Sequence, residues 1–115
     1  MDADTTRRLF GLLGLGVRGR GAIIGVEQVK EAARRGKLVL AIAAPDASSN
    51  SLNKVLPLLK AREIPVFSAP SAKELGNAVG RDSTTVVGIV DRGLAKGIRA
   101  LSLSAMTLGS KEELG

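Results

Sequence analysis

The sequence predicts an α/β fold, a three-layer α/β/α sandwich around a four-stranded and mostly buried sheet. Three observations carry that expectation. Apolar runs of strand length alternate with stretches of helical periodicity along the chain. The run Leu38 to Ala44 is apolar without alternation, as a strand covered on both faces must be. Cap residues punctuate the helical stretches: Gly36 closes one, Ser71 with Glu74 forms a capping box, and Asp91 opens another.

The elements follow in order. Leu9, Leu12 and Leu13 repeat at helical spacing, with Phe10 at the margin, and predict a first helix over Thr5 to Leu15. Gly11 and Gly14 weaken it by up to about 1 kcal/mol each relative to alanine. A glycine-rich connector, Gly16 to Gly21, carries Arg18 and Arg20 into the short strand Ala22-Ile23-Ile24. Gly25 then opens a second helix that runs to Arg35, with Val26, Val29, Ala32 and Ala33 on its apolar side and Arg34 and Arg35 complementing the dipole of its last turn. The buried strand and the turn Pro45 to Asn50 lead into a third helix, Ser51 to Arg62. Pro57 inside it predicts a kink or a loosely helical beginning. Ile64 to Ser68 reads as a strand that its proline places at an edge or a strand start. A fourth helix ends near Gly80, Thr85 to Val90 is another buried strand, and a last helix runs from Asp91 through Leu101 or Leu103. Residues 1–103 are expected to form one domain and 104–115 a frayed tail.

Composition narrows the function classes. The chain has 115 residues, 44% of them apolar, with Phe10 and Phe67 the only aromatics and with neither cysteine nor histidine. Their absence removes disulfides, Cys/His zinc sites, thiol nucleophiles and the commonest catalytic base near neutral pH. Seventeen basic residues against eleven acidic give a net charge of +6, which accelerates encounter with polyanions. Thr6-Arg7-Arg8-Leu9-Phe10 imitates a twin-arginine export signal. Asp2 and Asp4 ahead of the arginines, and Arg18 and Arg20 where a cleavage site belongs, read against one. No apolar run reaches the ~20 residues that span a bilayer, and a cytoplasmic protein without a membrane partner is expected.

The motifs point to binding rather than to chemistry. Gly14-Leu15-Gly16-Val17-Arg18-Gly19 matches G-x-G-x-x-G, but a helix precedes it and a strand follows, the reverse of what pyrophosphate binding needs. It is read as a mobile connector. Asp46, Asp82 and Asp91 stand where a cap or turn wants a carboxylate, and Ser48, Ser49 and Ser83 have no histidine to activate them. No enzyme, cofactor or metal is expected. What remains is a basic, glycine-rich surface with Arg18 and Arg20 ahead of the second helix and Arg34, Arg35 and Lys37 at its end. Taken alone it reads more simply as a solvated helix face with Glu31 paired to Arg35.

A longer pattern adds to that reading. Gly25-Val-Glu-Gln-Val-Lys-Glu-Ala-Ala-Arg-Arg-Gly36, Leu38 to Ser48, Leu56-Pro57, Ile64-Pro-Val-Phe67, the Leu-Gly-x-Ala-x-Gly box from Leu75 to Gly80, and Val87 to Gly93 keep their order and spacing over about four-fifths of the chain. In these stretches the chain resembles the ribosomal-protein superfamily typified by the archaeal "L-seven-Ae" and eukaryotic "L-thirty-e" proteins, with a closer likeness to bacterial members of the YlxQ type. The resemblance implies a three-layer sandwich with a four-stranded mixed sheet that binds kink-turn RNA, a duplex bent sharply at tandem sheared G·A pairs. It explains Pro57, since Leu-Pro is common in this helix of the family. Its usual motif at the second helix is Gly-x-Asn-Glu-x-x-Lys or Gly-x-Lys-Gln-x-x-Lys. Gly25 and Gln28 match, whereas Glu27 replaces Asn or Lys and Glu31 replaces Lys. A carboxylate cannot donate to a guanine acceptor and repels phosphate. The family's second contact loop corresponds to Gly80 to Thr85, which retains Arg81, Asp82, Ser83 and Thr84 without the usual apolar wedge.

The expectation is a monomeric, non-catalytic RNA-binding protein associated with the ribosome or another structured RNA as part of a ribonucleoprotein. Its RNA-binding residues are Arg18, Arg20, Gly25, Glu27, Gln28, Glu31, Arg34, Arg81, Asp82, Ser83 and Thr84. The alternative is a protein-interaction or assembly module of the same fold that has lost kink-turn recognition. With two aromatics only, phosphate and shape contacts should outweigh base stacking.

Overall fold

The computed structural model describes residues 2–101 and 103–106. The order is α1 (Ala3–Arg18), β1 (Ala22–Ile24), α2 (Val26–Arg34), β2 (Leu40–Ala43), α3 (Ser49–Ala61), β3 (Val66–Ser68), α4 (Ala72–Ala78), β4 (Val86–Ile89) and α5 (Arg92–Arg99). The four strands lie in the order β1-β4-β2-β3. β4 runs antiparallel to both β1 and β2, and β3 runs parallel to β2, so the sheet is mixed.

Every residue of β2 and β4 is buried, which is why neither strand shows the alternation of a half-exposed one. Side-chain size alternates instead. Leu40, Ile42, Val87 and Ile89 point to the face covered by α1, α4 and α5, where they join Leu9, Leu13, Leu75 and Ile98. Ala41, Ala43 and Val86 point to the other face, under Val29 of α2 and Val55 and Leu59 of α3. Gly88 belongs to this second face: a Cβ there would lie 3.0 Å from a methyl of Val29. Small residues on one face let α2 and α3 approach the sheet closely. Large ones on the other fill the space under three helices.

Caps define the helix starts. Asp2, Ser48, Ser71 and Asp91 each accept a hydrogen bond from a backbone N–H in the first turn of α1, α3, α4 and α5. The bond from Thr5 holds the Asp2 carboxyl below its usual range. This cap is therefore in force above the ordinary carboxylate range and is lost as pH falls through that lowered value.

The structure corrects four expectations. α1 does not stop at Leu15 but continues to Arg18, so Gly14 to Arg18 are helix and the turn shrinks to Gly19-Arg20-Gly21. The glycines serve packing rather than mobility: Gly16 is buried, and a Cβ on it would sit 3.0 Å from that of Ala22. α3 is one helix on both sides of Pro57 and starts at Ser49. Pro57 is exposed, as is Asn53, whose carbonyl the proline leaves without an i to i−4 donor at a place open to solvent. Finally, the segment from Ser104 does not begin by fraying. Ser68 N–H donates to the Ser104 carbonyl at 2.9 Å and Met106 N–H to that of Val66 at 2.8 Å, placing Ala105 antiparallel to Phe67. These residues cover the outer edge of β3, which Pro65 introduces as the edge strand. The rest of the expected tail, 107–115, lies outside the described residues.

The Leu75–Gly80 box has a specific physical reason in this packing. A Cβ on Gly76 would fall 2.7 Å from both the backbone nitrogen and the carbonyl carbon of Ser83, so α4 meets the following loop backbone to backbone. Gly76→Ala should lower stability by about 1–3 kcal/mol through overpacking. Gly11→Ala, with nothing within 4 Å of the new methyl, should be neutral or stabilising by up to about 1 kcal/mol. Denaturation of the two variants side by side checks the contrast; equal midpoints would remove this role for Gly76.

Candidate nucleic-acid interface

Gly25 joins β1 to α2 with φ +99° and ψ 160°, a region open essentially to glycine alone. Its N–H donates to the Val86 carbonyl at 2.9 Å, which ties the start of α2 to the start of β4. The cap position of α2 has no side-chain hydrogen bond, in contrast to the other four helices described. The N–H groups of Val26, Glu27 and Gln28 precede the first i to i−4 bond, which Val29 makes to Gly25.

Across from this helix start lies the loop after α4. Arg81 N–H donates to the Gly76 carbonyl at 2.8 Å and Thr84 N–H to that of Ala72 at 3.1 Å. These bonds hold Arg81, Asp82 and Ser83 in an exposed arch, with Thr84 half-buried beneath it. Gly25, Val26, Ser83, Thr84 and Thr85 share one depression of about 440 Å³. The two segments assigned by resemblance, far apart in sequence, are thus brought to one surface. Its third wall, Ala47, Ser48 and Ser51, was not among the expected site residues. Ser48 caps α3 through Ser51 at 3.1 Å, and that local role accounts for it fully when only the sequence is read. The depression is lined by hydroxyls and small apolar groups, with no charged side chain in its wall.

The other expected residues divide. Glu27 is exposed in the first turn of α2. Gln28 is exposed and lies beside Ile23, Glu31 and Arg35 on the stripe of α2 that flanks β1, away from the depression. Glu31 is held 2.7 Å from Arg35 and 4.0 Å from Arg34, so its carboxylate is engaged toward the C-terminal end of the helix. Such exposed pairs are worth about 0.5 kcal/mol, but they offset its repulsion of a phosphate. Arg34 closes α2, roughly 12 Å along the axis from Val26, and its carbonyl accepts from Arg62 at 3.3 Å. Arg18 ends α1, with its guanidinium lying back toward Gly14. Arg20, at φ 64°, lies in the turn before β1. The three strand residues Ala22–Ile24, roughly 10 Å of extended chain, and the bend at Gly21 separate it from Gly25, so the structure places Arg18, Arg20 and Arg34 away from the helix start and loop that the resemblance pairs.

Comparison with known proteins follows the same lines. The model of the "Ribosomal protein L7Ae/L30e/S12e/Gadd45 family" matches residues 8–98. The chain is 32% identical over 92 residues to the RNA-binding protein YlxQ of Bacillus subtilis, covering 80% of this chain and 92% of that protein. It is 32% identical over 101 residues to the Enterococcus faecium protein of the same name, covering 88% and 97%. Among solved structures, a Bacillus halodurans protein of unknown function superposes with a TM-score of 0.73 at 32% identity, over 81% of this chain and 94% of that one. The 15.5kD RNA binding protein of Giardia lamblia shares the fold with a TM-score of 0.73 at 20% identity, over 87% and 86%.

Because nothing lies within 4 Å of a Cβ at Gly25, the cost of a side chain there is backbone strain alone. Gly25→Ala should cost about 1–3 kcal/mol and displace the first turn of α2. Chemical denaturation measures the first effect, and amide chemical shifts of Val26 to Gln28 report the second; an unshifted first turn would contradict the strain.

Proposed function

The chain belongs to the ribosomal protein L7Ae/L30e/S12e/Gadd45 family, and from that membership we propose that it is a non-catalytic RNA-binding protein of a cytoplasmic ribonucleoprotein. Its target is a folded RNA of the kink-turn kind, ribosomal or otherwise, and it acts as a monomer. The observation that carries this reading is the convergence of the uncapped α2 start and the Ser83–Thr85 loop on one uncharged depression. Exposed N–H donors of a helix start suit phosphate oxygens and guanine acceptors, and the hydroxyls of Ser83 and Thr84 both donate and accept. The names of the B. subtilis and E. faecium relatives support an RNA partner.

One residue favours a second reading. Glu27 places an exposed carboxylate within the first turn of α2, where the family offers a donor. A protein-interaction or assembly module that keeps the fold and has given up the sheared G·A contact fits that residue. Glu31 adds less to this reading, since Arg34 and Arg35 already hold it.

Electrophoretic or filter binding separates the two. The protein should prefer a kink-turn over a plain duplex of equal length. Glu27→Asn should tighten that preference by about 1 kcal/mol, roughly fivefold, and Glu31→Lys should add little because it discards two intrahelical pairs. No preference in the wild type, restored only by both substitutions together, would assign the chain to the second reading.

A further inference from the structure

The basic excess is not distributed evenly over the fold. Around the α2 start, the turns and first helical turns carry Glu27, Asp46, Glu74 and Asp82 against Lys73 and Arg81. The opposite end of the sheet is different. There β4 ends, β2 begins and α2 closes, and a depression of about 660 Å³ opens over Val39 and Val90 between Lys37, Arg92 and Arg99. The neighbouring depressions share Val90 and add Arg35 and Arg20 to the same surface. Its two carboxylates are already engaged. Glu31 holds Arg35 at 2.7 Å, and Asp91 accepts from Leu94 N–H at 2.7 Å as the cap of α5. Among the described residues, Lys37, Arg92 and Arg99 form no ion pair, and all three are exposed.

We infer that this basic pole is a second RNA-binding surface, one that grips the phosphodiester backbone of a further RNA segment while the α2 end reads the bend. The inference rests on the RNA-binding reading above and goes beyond it by adding a site at the other end of the molecule. Three features select a phosphate backbone over other partners. Arginine supplies most of the cations, and its fork matches phosphate oxygens in pairs. The cations come from three separate segments, the turn before β1, the end of α2 with the turn that follows it, and α5, a layout that follows a ridge of charge rather than a single anion. Base stacking is absent from the design, since Phe10 and Phe67 both pack against the core. The described residues extend 35 × 32 × 27 Å, so RNA held at the α2 end reaches the pole only with a second arm or strand. Contact there is independent of sequence and falls steeply with salt.

The test is the salt dependence of binding to a plain RNA duplex and to a kink-turn, measured for the wild type, for the triple variant Lys37→Gln/Arg92→Gln/Arg99→Gln, and for Lys54→Gln on the exposed side of α3. Matching thermal melts establish that the variants are folded. The triple variant should lower the slope of log K against log salt by about two to three units and weaken plain-duplex binding tenfold or more, while Lys54→Gln, a charge removed outside the pole, changes the slope by less than about one unit. Arg92→Lys/Arg99→Lys should hold the slope within about one unit of the wild type, as retained charge requires. RNA bound with an unchanged slope in the triple variant overturns the basic pole and leaves the α2 end untouched. No RNA of either kind bound by the wild type at low salt sinks the RNA-binding reading itself. Polyglutamate bound as tightly as the duplex at equal salt would make the pole a general polyanion surface and overturn its assignment to RNA.

Discussion

Four buried residues, Val86 to Ile89, hold both ends of this molecule in place. β4 is paired on each side, and the groups that emerge at its two ends are all fastened to it or to its flanks. At its start, Gly25 N–H donates to Val86 and Ala44 N–H to Thr85, which positions the α2 start and the turn into α3. At its finish, Val39 N–H donates to Ile89 and Val90 N–H to Gly21, which positions the segments bearing Lys37 and Arg20. A strand this short offers few ladder bonds, so its two-sided burial carries the arrangement. Gly88 is the tight point of the strand, because a Cβ there would meet side-chain methyls of Leu38 and Val29, which would have to move.

This dependence explains which parts of the fold are legible in the sequence. Alternating runs and caps reveal the elements, because local pattern and burial agree there: Ser71 with Glu74 and Asp91 are caps in the structure as in the sequence. What escapes is whatever depends on a neighbour distant in the chain. The glycines at 14 and 16 lower helix propensity locally, yet α1 stays helical through them, packed at Gly14 near the Ala78 carbonyl and at Gly16 against Ala22 and Leu94. The pairing of residues 104–106 with β3 has no local signature at all, since a single bridge needs only an open edge. Pro57 reads as a breaker until its exposure is known.

The site shows the same division more sharply. Resemblance links Gly25 with Ser83, and the fold brings their segments together through hydrogen bonds no sequence pattern encodes. Proximity in sequence misleads for Arg18 and Arg20. Both stand within seven residues of Gly25, yet a strand runs between them and carries them to the other end of the sheet. Glu31 shows the reverse case. Its i, i+4 spacing to Arg35 is visible in the chain, and the structure gives it that partner.

A net charge of +6 is therefore less informative than its placement. Were the cations gathered at the α2 start, one surface would both attract RNA and recognise its shape. In this chain the carboxylates Glu27, Asp46, Glu74 and Asp82 occupy that end, and the depression they surround is uncharged. Hydrogen bonding there acts over about 3 Å and discriminates geometry. The field of the opposite pole reaches out to about a Debye length, ~10 Å at 0.1 M salt, and is indifferent to sequence. Dividing attraction from discrimination lets the first persist where the second is weak, and it gives Glu27 a physical meaning. Under the proposed reading, a carboxylate beside the α2 start repels backbone phosphate and offers no donor to a guanine, so recognition at that end rests on the backbone N–H groups of the helix start and the hydroxyls of the Ser83–Thr85 loop.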